Sequence, residues 1–182
     1  MALAEQATLL NANIPQTFWV LGYVYMMRKE YENAAEAVTE GIMIAPNYAD
    51  GYGLLSLIYN NLGEPQKAID YVTKGMRLNP YYTWDYPYNL GRAYYLLGNY
   101  DKAIAALEKA QLRNENAVPI KLFLAASYIR AGRIEDAEWV AEQLQMINPN
   151  TTLSHTDKTI PIANEEFKTT FLEDLRKSGL PE

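Results

Sequence analysis

The sequence predicts an all-α fold, an α-solenoid in which helical hairpins stack one on another. Equivalent positions lie 34 residues apart, as Tyr25 and Tyr59 do, and the same spacing separates Tyr94 from Tyr128. Apolar residues recur at the helical period of about 3.6 residues, which favours helices over strands. A glycine such as Gly98 stands between the two helices of several units, where positive φ ends a helix.

The repeat is clearest between residues 89 and 110, which predict two helices joined by a turn at Gly98 and Asn99. Small and apolar residues recur on one face of each helix: Leu90, Gly91 and Tyr94 on the first, and Ala103, Leu107 and Ala110 on the second. The same pattern predicts four units, at residues 15–48, 49–82, 84–117 and 118–151, with Thr83 inserted between the second and the third.

Small residues and prolines explain how each unit is built. Gly22 and Gly91 are expected where two helices approach too closely for a side chain. Small alanines are expected opposite them: Ala34, Ala68, Ala103 and Ala137. Because proline lacks a donor and restricts the residue before it, prolines are expected to end three of the second helices: Pro46, Pro80 and Pro149.

This pattern resembles the tetratricopeptide repeat family, whose 34-residue unit is a helix–turn–helix. The resemblance covers residues 15–151, with small departures: Ser56 replaces a packing glycine and Glu115 replaces a closing proline. It implies a right-handed superhelix that carries the first helix of each unit on its concave face.

The flanking segments are expected to extend the solenoid. Residues 1–14 read as the second helix of a preceding unit, which suggests a fragment of a longer protein with Met1 added for expression; the alternative is a natural N-terminal cap. Residues 152–163 read as an extended linker. Residues 164–178 predict a capping helix, because Phe167, Phe171 and Leu175 share one face and solenoids need a cap over their last apolar face.

Two short segments are similar to repeat regions that follow the catalytic domain in bacterial class III adenylate/guanylate cyclase-like proteins. They are residues 76–82 and the ending 175–182. This resemblance implies a regulatory or assembly segment of a larger bacterial protein, without the catalytic domain.

Composition excludes several classes of function. The formal net charge is −6 and no basic run exceeds two residues, which argues against nucleic acid as a partner. Cysteine is absent, so disulfides and thiolate metal sites are excluded. No apolar run approaches the roughly 18 residues of a membrane span. Without a signal peptide the expected compartment is the cytoplasm, or the periplasm if an export signal was removed.

No catalytic chemistry is evident in the sequence. His155 is the single histidine, so neither a zinc site nor a serine–histidine pair can be built around it. Phosphate-binding and dinucleotide-binding motifs are also missing. We therefore expect no cofactor, no metal and no enzymatic activity.

The groove positions of the family select a strongly apolar set in this chain. The expected partner-binding residues are Trp19, Tyr23, Met26, Met27, Leu54, Leu57, Asn60, Asn61, Tyr88, Arg92, Tyr95, Phe123 and Arg130. Chaperone-binding members of the family hold a carboxylate with lysine, asparagine and arginine. Only Arg92 matches that set here, so a carboxylate clamp is not expected.

An apolar concave face needs a covering, because large exposed apolar patches are rare on monomers. The leading expectation is a protein–protein interaction scaffold with a protein or peptide partner in the groove, and the alternative is a carrier for an apolar small molecule or lipid. A third possibility is self-covering, by self-association or by residues 152–163. The aromatic cluster of residues 81–88 fits either a recognition platform or a repacked joint between units.

Overall fold

The computed structural model describes residues 13–182, which contain ten α-helices and no strand. Eight helices form four hairpins: α1 (Pro15–Met27) with α2 (Tyr31–Ile44), α3 (Ala49–Leu62) with α4 (Pro65–Leu78), α5 (Asp85–Leu96) with α6 (Tyr100–Gln111), and α7 (Val118–Arg130) with α8 (Ile134–Ile147). The C-terminal segment adds α9 (Leu153–Thr159) and α10 (Glu165–Lys177). The predicted all-α repeat fold is confirmed. The helix expected at residues 1–14 lies almost wholly outside the described residues.

The hairpins stack in two layers. The first helices pack on one another in sequence, α1 on α3, α3 on α5 and α5 on α7. The second helices pack mainly between the first helix of their own unit and that of the next unit. Helices that touch from unit to unit lie on the inside of a curved stack, so α1, α3, α5 and α7 line the concave face.

Each hairpin turn contains a residue with positive φ. Glycine fills this position in three units, where Gly63, Gly98 and Gly132 have φ of 76°, 75° and 76°. In the first unit Lys29 adopts the same conformation at φ 63°. A side chain in this region costs about 1 kcal/mol or more, so the first turn is strained where the others are relaxed.

Two glycines allow the helices of a hairpin to meet. A Cβ atom added to Gly22 would lie 2.3 Å from Val38 Cγ2, and one added to Gly91 would lie 2.5 Å from Leu107 Cγ. Both distances are far below van der Waals contact, so the packing of these hairpins depends on the absence of a side chain.

The segment predicted as an extended linker instead contains a helix, α9. The Thr152 side chain accepts a hydrogen bond from the His155 backbone N–H at 3.1 Å and so caps the first turn. Leu153 and Thr156 are buried on one side of the helix. The linker prediction was wrong here because these polar residues cap and flank a short helix. Between α9 and α10 only residues 160–164 are not helical.

Helix α10 returns along the concave face rather than continuing the stack. The Asn164 side chain caps its start by accepting from the Phe167 backbone N–H at 3.1 Å. Just before it, the Ala163 N–H donates to the Asn61 carbonyl in unit two at 3.0 Å. The body of α10 packs on α7 in unit four. The helix therefore crosses the inner surface from the second unit towards the fourth.

The buried side chains form two clusters. One spans units three and four and includes Phe123 together with Phe171, Leu175 and Leu180 of the C-terminal segment. The other lies in units one and two around residues such as Leu55. The C-terminal segment is therefore part of the core of one half of the solenoid only.

Candidate functional site

The concave face has two regions with different surroundings. One, here called the covered half, is formed by Tyr95, Phe123 and Arg130 and lies against α10. The other, here called the aromatic pocket, is a cavity of about 330 Å³ between α1, α3 and α5. Its lining residues are Trp19, Tyr23, Asp50, Gly53, Leu54, Leu57, Trp84, Asp85, Tyr86, Tyr88 and Asn89. None of them belongs to the C-terminal segment.

Aromatic stacking and a buried acid hold α10 on the covered half. The rings of Phe123 and Phe171 stack with centroids 4.4 Å apart. The Tyr95 hydroxyl and Arg130 Nε both donate to Asp174 Oδ2 at 2.6 Å, and Asp174 is fully buried. Burial, and then the Asp174 carboxylate, raise the pKa of the Tyr95 hydroxyl. That hydroxyl therefore stays protonated and remains a donor to the acid.

Polar side chains form the floor between the two regions. Arg92 is buried and its Nη2 donates to Asn61 Oδ1 at 3.0 Å, while its guanidinium lies 5.0 Å from the centre of the Phe123 ring. Asn60 Nδ2 donates to the Asn89 carbonyl at 2.9 Å. These residues tie neighbouring first helices together across the inner layer.

The walls of the aromatic pocket are paired rings. Trp19 and Tyr23 are nearly parallel on α1, with centroids 5.4 Å apart and an interplanar angle of 5°. Trp84 and Tyr88 face them from the third unit, with centroids 5.8 Å apart. Trp19 Nε1 donates to the Asp50 carbonyl at 3.2 Å, which fixes the indole against α3. Rigid rings of this kind offer a preformed apolar surface to a ligand.

Carboxylates lie beside these rings. Asp50 stands in the first turn of α3 and Asp85 in the first turn of α5. The Tyr86 hydroxyl is 3.4 Å from Asp50 Oδ1 and donates to it. Burial, then Asp50 and Asp85, raise the pKa of Tyr86. Burial and Asp50 also raise the pKa of Tyr48 to about 12. The pocket is therefore apolar in its walls and negative at one side.

The residues predicted from the sequence are divided between these regions. The aromatic pocket contains five of them: Trp19, Tyr23, Leu54, Leu57 and Tyr88. The covered half and the floor contain six: Asn60, Asn61, Arg92, Tyr95, Phe123 and Arg130. Met26 is buried with the core of units one and two. Met27 is 65% exposed and does not line the pocket.

Six pocket residues lie outside the expected partner-binding set. Four of them stand at groove positions of their units: Asp50, Gly53, Asp85 and Asn89. The other two, Trp84 and Tyr86, do not, and their signal was the density of aromatic residues beside the Thr83 insertion. The structure divides that cluster, since Trp84, Tyr86 and Tyr88 line the pocket whereas Tyr81 is 93% exposed.

The described residues contain no group of three or more histidine, cysteine, aspartate or glutamate side chains placed to hold a metal ion. His155 is exposed on α9. Over residues 13–182, no helix has the length and apolar character needed to cross a bilayer.

Two family models match the chain, and both are described as tetratricopeptide repeat. One matches residues 94–156 and the other residues 49–82, so together they cover slightly more than half of the sequence. The similarity of residues 76–82 and 175–182 to repeat regions of cyclase-like proteins stays a prediction. No curated protein sequence matches this chain.

Solved structures share the fold at low sequence identity. A thermophilic tetratricopeptide-repeat protein of Thermus thermophilus is 22% identical with a TM-score of 0.72, over 96% of this chain and 88% of that chain. PilW, a type IV pilus biogenesis factor, is 19% identical with a TM-score of 0.77, over 96% and 80%. YrrB, described as having an unusual peptide-binding site, is 18% identical with a TM-score of 0.66, over 96% and 90%.

Proposed function

Because this chain belongs to the tetratricopeptide repeat family, we propose that it is a protein-interaction scaffold whose aromatic pocket holds a peptide segment of its partner. The observation that carries the proposal is the pocket itself. It contains two pairs of aromatic rings, and it lies on a part of the inner surface that α10 does not cover. Aromatic side chains in such pockets contribute much of the binding energy in protein interfaces.

The size of the pocket supports a peptide. A volume of about 330 Å³ stands at the small end of ligand pockets, about 300–1,000 Å³. It fits one or two anchoring side chains of a chain that continues along the groove. A lipid carrier would need a longer apolar cavity, and Phe171 and its neighbours fill the other half of the concave face. The carrier alternative is therefore not favoured.

A fold relative supports the same choice. YrrB, which shares the fold, is described as a tetratricopeptide-repeat protein with an unusual peptide-binding site. Within the proposal, α10 limits the peptide to the N-terminal part of the groove. The scaffold would serve as an assembly or regulatory segment of a larger bacterial protein.

The test is selection of binding peptides from a random library against the full chain, followed by titration of the selected peptides against variants. Tyr23→Ala removes a pocket ring that is 41% exposed, and we expect it to weaken binding about 30-fold or more. Tyr81→Ala is the matched control, since it removes an exposed ring outside the pocket. Selected peptides that bind both variants like the original chain would refute the assignment of the pocket.

A further inference from the structure

We propose that the aromatic pocket recognises a cationic side chain of the partner peptide. This side chain belongs to an arginine or a lysine whose neighbours in the peptide are apolar. This inference rests on the proposed function and adds the chemistry of the anchoring residue.

The charge of the pocket is unbalanced. Asp50 and Asp85 line it, and none of its lining residues is lysine or arginine. Arg92 lies 5.7 Å from the centre of the Tyr88 ring, yet its Nη2 donates to Asn61 rather than to either carboxylate. Both acids stand in the first turns of their helices, where a negative charge interacts favourably with the helix dipole. That role explains their place in the helices, but in the part of the chain that the structure describes no lysine or arginine forms a salt bridge with either acid. The Tyr86 hydroxyl donates to Asp50 Oδ1 and the Thr83 hydroxyl to Asp85 Oδ1, which leaves both negative charges without a compensating cation.

The rings complete the recognition of a cation. The faces of tryptophan and tyrosine attract ammonium and guanidinium groups, most strongly where water is partly excluded. The indole rings of Trp19 and Trp84 and the phenol rings of Tyr23 and Tyr88 line the cavity. Trp19 and Tyr23 stack on each other, so at most one face of each is open to a ligand. A guanidinium is planar and weakly hydrated, so it can stack on a ring while its N–H groups reach carboxylates. Aromatic walls and two carboxylates therefore match arginine best and lysine next.

The experiment uses capped amino acids as probes and tryptophan fluorescence as the readout. Two of the three tryptophans line the pocket, and Trp139→Phe removes the third, which is exposed on α8. The probes are the N-acetyl methylamides of arginine, lysine, citrulline and norleucine, at up to roughly 10 mM. Citrulline keeps the shape of arginine without its charge, and norleucine keeps the aliphatic stem of lysine.

We expect arginine and lysine to change the fluorescence with saturation, and citrulline and norleucine to bind about tenfold more weakly or worse. Asp50→Asn and Asp85→Asn should each weaken the arginine probe about tenfold. Asp70→Asn, an exposed acid on α4 outside the pocket, should leave it unchanged. Raising the salt concentration should weaken the cationic probes selectively.

Citrulline or norleucine binding as tightly as arginine would overturn the inference, and so would no binding by any probe. The library-selected peptides distinguish failure of this inference from failure of the proposed function. If library-selected peptides lose affinity with Tyr23→Ala but not with Asp50→Asn or Asp85→Asn, the pocket binds the partner and the cation inference is wrong. If Tyr23→Ala has no effect on those peptides, the proposed function itself is wrong.

Discussion

The two ends of the concave face carry opposite charges. In the covered half, Arg130 and Tyr95 hold the buried carboxylate of Asp174 from α10. In the aromatic pocket, Asp50 and Asp85 stand beside the rings. One end therefore binds a helix of its own chain, through the aspartate and a phenylalanine of that helix. The other end carries two aspartates itself.

This difference shows how a solenoid can dedicate parts of one groove to separate tasks. The segment on the covered half joins the core of units three and four, so it contributes to folding. The aromatic pocket has no such occupant from the C-terminal segment. Substitutions in the covered half should therefore reduce stability, whereas substitution of an exposed pocket ring such as Tyr23 should reduce binding and leave stability nearly unchanged.

The largest expected effect comes from Phe171→Ala. This ring is fully buried and stacks on Phe123, so its removal should lower the free energy of unfolding by about 3–4 kcal/mol, measured by urea denaturation. Phe167→Ala is the control, because Phe167 is only half-buried on the same helix, and it should cost clearly less. Equal losses for both would mean that Phe171 is not the main anchor of α10.

Asp174→Asn should cost about 2 kcal/mol, because the charge-assisted hydrogen bonds from Arg130 and Tyr95 lose their ionised acceptor. Asp157→Asn removes another paired acid of the C-terminal segment, one that is about half exposed beside Lys168. Surface pairs contribute about 0–1 kcal/mol, so this control should have little effect. Thermal unfolding of both variants measures the contrast, and similar losses would contradict the buried geometry.

Alkaline pH should destabilise the chain through Tyr95. Its pKa is raised in the folded state, so its contribution is complete below about pH 10, the ordinary tyrosine pKa. Above that pH the unfolded chain loses the proton first, and stability falls by up to about 1.4 kcal/mol per pH unit for each such tyrosine. Tyr95→Phe should flatten the decline of the unfolding free energy between pH 9 and 11, whereas Tyr81→Phe should leave it unchanged. Equal slopes for the two variants would exclude Tyr95 as a source of the loss of stability at alkaline pH.

The smallest expected effect on stability is that of Tyr23→Ala in the aromatic pocket. The ring is 41% exposed, so its loss should change the free energy of unfolding by about 0.5 kcal/mol or less, while binding of selected peptides falls. A large loss of stability in urea denaturation would show that Tyr23 itself contributes to the core, and the contrast between the two regions would disappear.

The repeat fold could be predicted because its rules are local. A turn glycine such as Gly98, with φ of 75°, and a close approach such as Gly91 beside Leu107 each concern residues within one hairpin. The first turn was less evident, since Lys29 takes the positive φ there without being a glycine. The α9 helix was missed because its signal is a single cap at Thr152 in an otherwise polar segment.

The candidate site could be predicted only in part. Tyr23 and Leu57 lie in the pocket because the position of a residue within its unit decides whether it points inward. Asp50 also stands at an inward position of its unit, and Trp19 of the preceding unit donates to its carbonyl. Trp84 does not stand at such a position and joins the pocket through the packing of neighbouring units. No feature within a single helix indicates which side chains of neighbouring units enclose a common cavity.

The sequence by itself therefore determined the helical hairpins, their stacking and the inward positions, because helix period, turn conformation and packing between adjacent hairpins are properties of nearby residues. The tertiary structure decided which part of the groove the chain covers and which it leaves to a ligand. That choice depends on the return of α10 across the inner layer, as in the Tyr95–Asp174 hydrogen bond between residues 79 positions apart. A contact of that range depends on the path of the whole chain, which no local pattern specifies.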